Sequence, residues 1–160
     1  MQTQQCEIGD VIRLRGGIEL QLRNALNGQI VEKRILNNLV VTAGRRFVLQ
    51  QIASSEIVTS HTFERIAVGT GTVAPATSDT ALGSETTRIA IGTFTTSNLT
   101  SNPPSWRAEI SLNTDEGNTT LGEVGILNSS SGGTLLARAT FATINKTTSN
   151  TLNISYTISN

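Results

Sequence analysis

The chain has one cysteine, Cys6, one histidine, His61, and aromatic residues at only 4% of its 160 positions. A single cysteine excludes an intrachain disulfide, and one residue of each kind excludes a metal site built from several Cys and His ligands. Charged residues are also scarce at 15%, against roughly 25% in ordinary soluble domains. Their formal sum is +0, so no general affinity for nucleic acid is expected. No apolar run approaches the ~18 residues of a membrane span, and Met1–Asp10 is polar, without a signal pattern. The expectation is a protein made in a cytosol and soluble there, with neither membrane nor nucleic acid as partner.

What is abundant is Ser, Thr and Asn, together roughly a third of the chain and well above ordinary usage. Thr favours strands, while Ser and Asn favour turns, so the excess points to many short strands joined by polar turns. Regularly spaced Ile, Leu and Val separate this chain from a disordered one. Charge is uneven along it. Seven basic residues against four acidic ones up to Arg46 give +3, and the remainder sums to −3.

The pattern along the chain predicts a polar arm over residues 1–16 and one antiparallel β-sandwich, jelly-roll-like or related, over residues 17–160. Within Gly17–Asn24, Ile18, Leu20 and Leu22 share a face. Asn27-Gly28 then signals a turn, making 17–37 an N-terminal hairpin. Thr42 is placed to cap one short helix, about 43–54, with Ala43, Phe47, Leu49, Ile52 and Ala53 as its core side. Later strands are expected at Arg65–Val68, Thr86–Thr96, Trp106–Leu112, Leu121–Leu127 and Thr134–Thr143. The last, Leu152–Ile158, sends Leu152, Ile154, Tyr156 and Ile158 inward. Trp106 falls in phase with a core-facing stripe.

Motifs that would carry chemistry are thin. Gly69-Thr70-Gly71-Thr72 has neither Gly-x-Gly-x-x-Gly nor a Gly-Lys-Ser/Thr ending, and Pro75, Asp79 and Glu85 follow it. It reads as a turn by which the chain leaves a strand and crosses an end of the sandwich. His61 lies in a polar stretch, with no Gly-x-Ser-x-Gly turn to present a nucleophile. Asp115-Glu116-Gly117-Asn118 lacks the acidic spacing of a calcium loop and reads as a hairpin turn. Asp79 with Glu85, or Glu109 with Glu123, are the carboxylate pairs a glycosidase would need, although sequence alone places no two of them at the required separation. No catalytic residue, metal ligand or cofactor is therefore expected, and the protein is read as a non-enzyme.

Three segments carry a resemblance. Ile66-Ala67-Val68-Gly69-Thr70-Gly71 runs on through Ala74–Leu82 to an acidic-to-Arg exit at Glu85–Arg88. Upstream stands Asn38-Leu39-Val40-Val41-Thr42-Ala43-Gly44. Downstream come Leu121-Gly122-Glu123-Val124-Gly125-Ile126-Leu127, a Ser/Gly loop and Leu135-Leu136-Ala137-Arg138-Ala139-Thr140-Phe141. In this order, over Gly17–Ile158, the chain resembles a family of small virion structural proteins of tailed bacteriophages. The resemblance implies a structural part on the outer surface of a virus particle, made in the host cytoplasm, with no catalytic residues to carry over. A capsid decoration (cement) protein, binding the major capsid protein or other virion proteins, is favoured over a tail, baseplate or fibre component. A host-surface carbohydrate-binding module is the remaining alternative.

Short polar-faced strands leave edges to cover, so a homo-oligomer is expected, with a trimer favoured. Arg13, Arg15, Arg45 and Arg46 are the residues expected to meet a partner. The arm is expected to add to an edge strand of a neighbour, with Arg13 and Arg15 setting register.

Overall fold

The computed structural model describes residues 14–53 and 62–160. Ten strands in these residues form two antiparallel sheets of five. The first sheet joins β1 (Arg15–Asn24), β2 (Ile30–Asn37), β6 (Thr93–Thr95), β7 (Ser105–Leu112) and β10 (Asn150–Ser159), in the order β2-β1-β10-β7-β6. The second joins β3 (Leu39–Val40), β4 (Arg65–Gly69), β5 (Glu85–Ala90), β8 (Thr120–Leu127) and β9 (Leu135–Asn145), in the order β3-β9-β8-β4-β5. One helix, α1 (Thr42–Ala53), follows β3. The fold is the mainly β sandwich that the alternation implies.

The two sheets bury different patterns. In the first, Ile18, Leu20, Leu22, Leu152, Ile154, Tyr156 and Ile158 face the core, while the residues between them stay partly exposed. They share one apolar cluster with Ile66, Val68, Val124 and Ile126 of the second sheet. Each such aliphatic side chain contributes about 1.5–3 kcal/mol on full burial. The middle of the second sheet, β4, β8 and the start of β9, is buried on both faces, which is why β8 reads as a nearly unbroken apolar run. Its outer face carries a smaller cluster of Val41, Ala67, Leu82, Leu127 and Leu135, closed by the loop between β4 and β5.

The first hairpin turns where expected. Asn24 Oδ1 accepts the Leu26 N–H at 2.9 Å, and Gly28 adopts φ +70°, a backbone region that side chains resist. At the other end of the hairpin, β1 opens with Arg15 opposite Ser159 and Gly16 opposite Ile158. Arg15 and Gly16 thus belong to the sheet rather than to an arm.

Three further expectations are corrected. The single strand over Thr86–Thr96 is two strands in different sheets: the chain leaves β5, crosses at Ile91-Gly92 and enters β6. Ile91 N–H binds Glu64 O at 2.9 Å and Gly92 N–H binds Glu109 O at 3.1 Å, which fixes the crossing. The turn at Asp115–Asn118 joins β7 of the first sheet to β8 of the second, so it is a crossover and no hairpin. In α1 the inward side is Ala43, Gly44, Phe47 and Val48, whereas Leu49 and Ile52 are 63% and 70% exposed and Ala53 is exposed too. The contact is set by Gly44, where a Cβ would come within 2.4 Å of the Leu136 carbonyl oxygen. A helix laid against β9 on a glycine carries Leu49 to its far side.

Candidate functional site

The Gly-Thr-Gly-Thr segment opens the loop between β4 and β5, which are paired neighbours in one sheet. The loop folds back over the outer face of that sheet instead of crossing to the other, bringing Leu82 into the small outer cluster. Its backbone converges on Glu123 of β8, which is completely buried. Gly71 N–H donates to Oε1 at 3.1 Å, Ser84 N–H to Oε1 at 2.6 Å and Gly83 N–H to Oε2 at 2.8 Å. Arg138 Nε donates to Oε2 at 2.8 Å. Glycine at 71 is required for this approach, because a Cβ there would lie 2.4 Å from Oε1.

Backbone N–H groups around an anion are the physics of a phosphate loop. Here the anion is the protein's own carboxylate. Arg138 completes the network: its second nitrogen binds Asp79 Oδ2 at 2.7 Å and its third the Val73 carbonyl at 3.1 Å. Asp79 Oδ2 in turn accepts the Ala76 N–H at 3.0 Å. Glu123, Arg138 and Asp79 therefore tie residues 71–84 to β8 and β9.

The surroundings favour the charged form of each of these groups. Burial alone would raise the Glu123 carboxyl, but the Ser84 and Gly83 N–H groups and the Arg138 guanidinium together hold it below the ordinary glutamate value. The Ala76 N–H, and then Arg138, hold Asp79 low. Burial pulls Arg138 down, and Asp79 and Glu123 more than offset it. A carboxylate held ionised among donors is an acceptor and no acid catalyst.

The other carboxylates considered for sugar hydrolysis have partners of their own. Glu85 binds Arg88 through both oxygens, at 2.8 and 2.7 Å, and Arg88 reaches on to the carbonyls of Ser129 and Gly132, at 2.8 Å each. Glu109 lies in the first sheet and Glu123 in the second. At the crossover from β7 to β8, Lys146 is buried and donates to Asn113 O at 2.6 Å and Asn118 Oδ1 at 3.0 Å. An ammonium thus binds Asn118, at one end of the segment weighed as a calcium loop. Burial lowers its pKa, against the attraction of Glu116 and Asp115. Among the described residues no group of three or more His, Cys, Asp or Glu is placed to hold a metal.

Of the four arginines expected to meet a partner, Arg13 lies outside the described residues, as do Cys6 and His61. Arg15 is exposed at the start of β1 in the first sheet. Arg45 and Arg46 are exposed on α1, beside Leu49 and Gln50, against β9 of the second sheet. The structure thus places them on elements of opposite sheets. Sequence reasoning passed over Arg138 and Lys146. Arg138 is a charge inside the apolar run of β9 and Lys146 directly follows that strand, and a charge in or beside so apolar and Thr-rich a segment was the available signal.

The first sheet's outer face holds a polar groove of about 440 Å³, with Glu19, Gln21, Arg107, Glu109, Asn153 and Ser155 among its lining. These groups bind one another. Arg107 donates to Ser155 Oγ at 2.6 Å, Ser155 to Glu109 at 2.9 Å, and Gln21 to Glu19. Trp106 is outside this lining; it is half-buried, packs on the core and lies 5.9 Å from Phe94.

No family model matches the chain, and neither the curated proteins nor the solved structures compared with it gave a match.

Proposed function

We propose that the chain is a non-enzymatic structural protein of a tailed-phage particle, a capsid decoration protein that binds between neighbouring capsomers on the outer surface. The reading starts from the ordered resemblance across Gly17–Ile158. One observation of the fold supports it: the charged residues of the resembling segments, Asp79, Glu85, Arg88, Glu123 and Arg138, brace their own loops. Such use of charge suits a part whose task is to hold shape under load. The arginines exposed on β1 and α1 are the proposed contacts with the particle.

The test is an image of the phage particle with this chain labelled at its C-terminus, which follows a strand of the first sheet. Label at regular positions between capsomers is the expected result. Label confined to the tail or baseplate would replace the decoration reading with the tail alternative. Particles without label would end the virion reading altogether.

A further inference from the structure

The first sheet ends in β2, whose outer side has no neighbouring strand among the described residues. The other edge strands are shorter: β3 has two residues, β6 three and β5 six, against eight in β2. A long bare edge presents free N–H and C=O groups and is a template for another strand. The hydrogen-bond phase tells which groups are free. Asn38 N–H donates to Gly16 O at 3.0 Å, and Leu36 and Arg34 stand opposite Ile18 and Leu20 in the same phase. Alternation then turns the peptide groups of Lys33 and Ile35 to the open edge.

The side chains of this edge fit a copy of themselves. Residues 31–35 read Val-Glu-Lys-Arg-Ile, apolar at both ends with opposite charges flanking a centre. Val31 and Ile35 are 60% and 74% exposed. We propose that β2 pairs antiparallel with β2 of a second copy of this chain, about a twofold axis at Lys33, joining the two first sheets into one.

The register follows from sheet geometry and charge. Opposed residues must face the same side of the joined sheet, so the axis must fall on a residue. An axis at Glu32 or Arg34 would set that charge against itself. At Lys33, Glu32 faces the partner subunit's Arg34, and Val31 faces the partner subunit's Ile35, each twice. Lys33 does meet its own copy, but Glu19 holds its Nζ at 3.1 Å within each chain and relieves the repulsion. Within one chain Arg34 already binds Glu32 of the same strand, but its Nε is buried without a hydrogen-bond partner, so a donor remains for the partner subunit's Glu32. Leu22 stands opposite Glu32 and Arg23 opposite Ile30, so Val31 is the extra residue of a bulge; the regular run ends there, and the contact is confined to Val31–Ile35. This pairing requires a twofold axis in place of the threefold one expected from sequence, and it does not depend on the particle reading.

Sedimentation velocity of the full chain over a concentration series tests it. The expected result is a monomer–dimer equilibrium. Lys33→Pro removes an edge-facing N–H that the β1–β2 ladder does not use, and should weaken the dimer at least ~10-fold. Glu32→Arg should do the same, and the double variant Glu32→Arg/Arg34→Glu should restore the affinity of the original. Ile35→Asp, at an exposed position, should also dissociate the dimer, with an unchanged circular dichroism spectrum showing that the fold survives. Monomer at every concentration, an oligomer indifferent to Lys33→Pro and Ile35→Asp, or a double variant no better than the single one would each overturn the proposal.

Discussion

A carboxylate taken out of water costs several kcal/mol unless donors meet it, and Glu123 is met on both oxygens. Glu123→Gln keeps the size but turns one of these acceptors into a donor facing N–H groups. It also leaves Asp79 as the only carboxylate on Arg138. The expected loss is about 3–5 kcal/mol, the usual cost of breaking a buried pair from one side. Urea denaturation of the variant measures it, and a change within about 0.5 kcal/mol would mean that the network does not hold the loop. Gly71→Ala should act on the same network from the backbone side, since its Cβ would sit 2.4 Å from Glu123 Oε1. The sequence offers Glu123 only as a partner for Glu109 in sugar hydrolysis. Its importance comes from backbone donors some 40 and 52 positions away in the chain, as the pairs with Gly83 and Gly71 show.

At the scale of elements, α1 offers a contrast between propensity and packing. Alanine is favoured over glycine in a helix by about 1 kcal/mol, so Gly44→Ala would stabilise a free helix. Here its Cβ would meet the Leu136 backbone at 2.4 Å, and the overpacking term of about 1–3 kcal/mol should win. Thermal unfolding should therefore show a lower Tm for Gly44→Ala, while Leu49→Lys on the exposed side should leave it nearly unchanged. A stabilised Gly44→Ala would show that the helix does not rest on β9. The strands of the first sheet were legible because one face is wet: Ile18, Leu20 and Leu22, and likewise Leu152 to Ile158, alternate cleanly. The inward side of α1 was not, because a glycine contact has no hydrophobic signature. Nor was the crossing at Ile91-Gly92, since Ile89-Ala90-Ile91 and Thr93-Phe94-Thr95 both read as strand with a single glycine between them. The candidate site was legible only as a negative: the glycines of the opening loop were recognised as no phosphate site, but the anion they do hold is distant in sequence.

For the whole molecule, the network and the core set opposite ends of the pH range. Glu123 and Asp79 have folded pKa values below their ordinary 4.5 and 3.8. Their contribution is complete above those ordinary values and is lost as pH falls toward the lowered ones, so stability should decline in acid below about pH 4.5. Denaturation midpoints across that range should fall less steeply in Glu123→Gln, which no longer titrates there. At the alkaline end the group is Tyr156, completely buried at the centre of the first sheet, its Oη accepting from Asn38 Nδ2 at 2.7 Å. Burial pushes its pKa far above the ordinary 10.0, against a smaller opposite pull from Asn38. A raised folded value means that its contribution is complete below pH 10 and is lost as pH rises beyond it. Tyr156 is the only tyrosine in the chain, so the ultraviolet absorbance of tyrosinate reports on this one residue. In an alkaline titration that signal should stay absent while the far-ultraviolet spectrum is native, then rise together with unfolding. A smooth titration near pH 10 with the β spectrum intact would show that water reaches the ring, and that the two sheets do not close over it as the core requires.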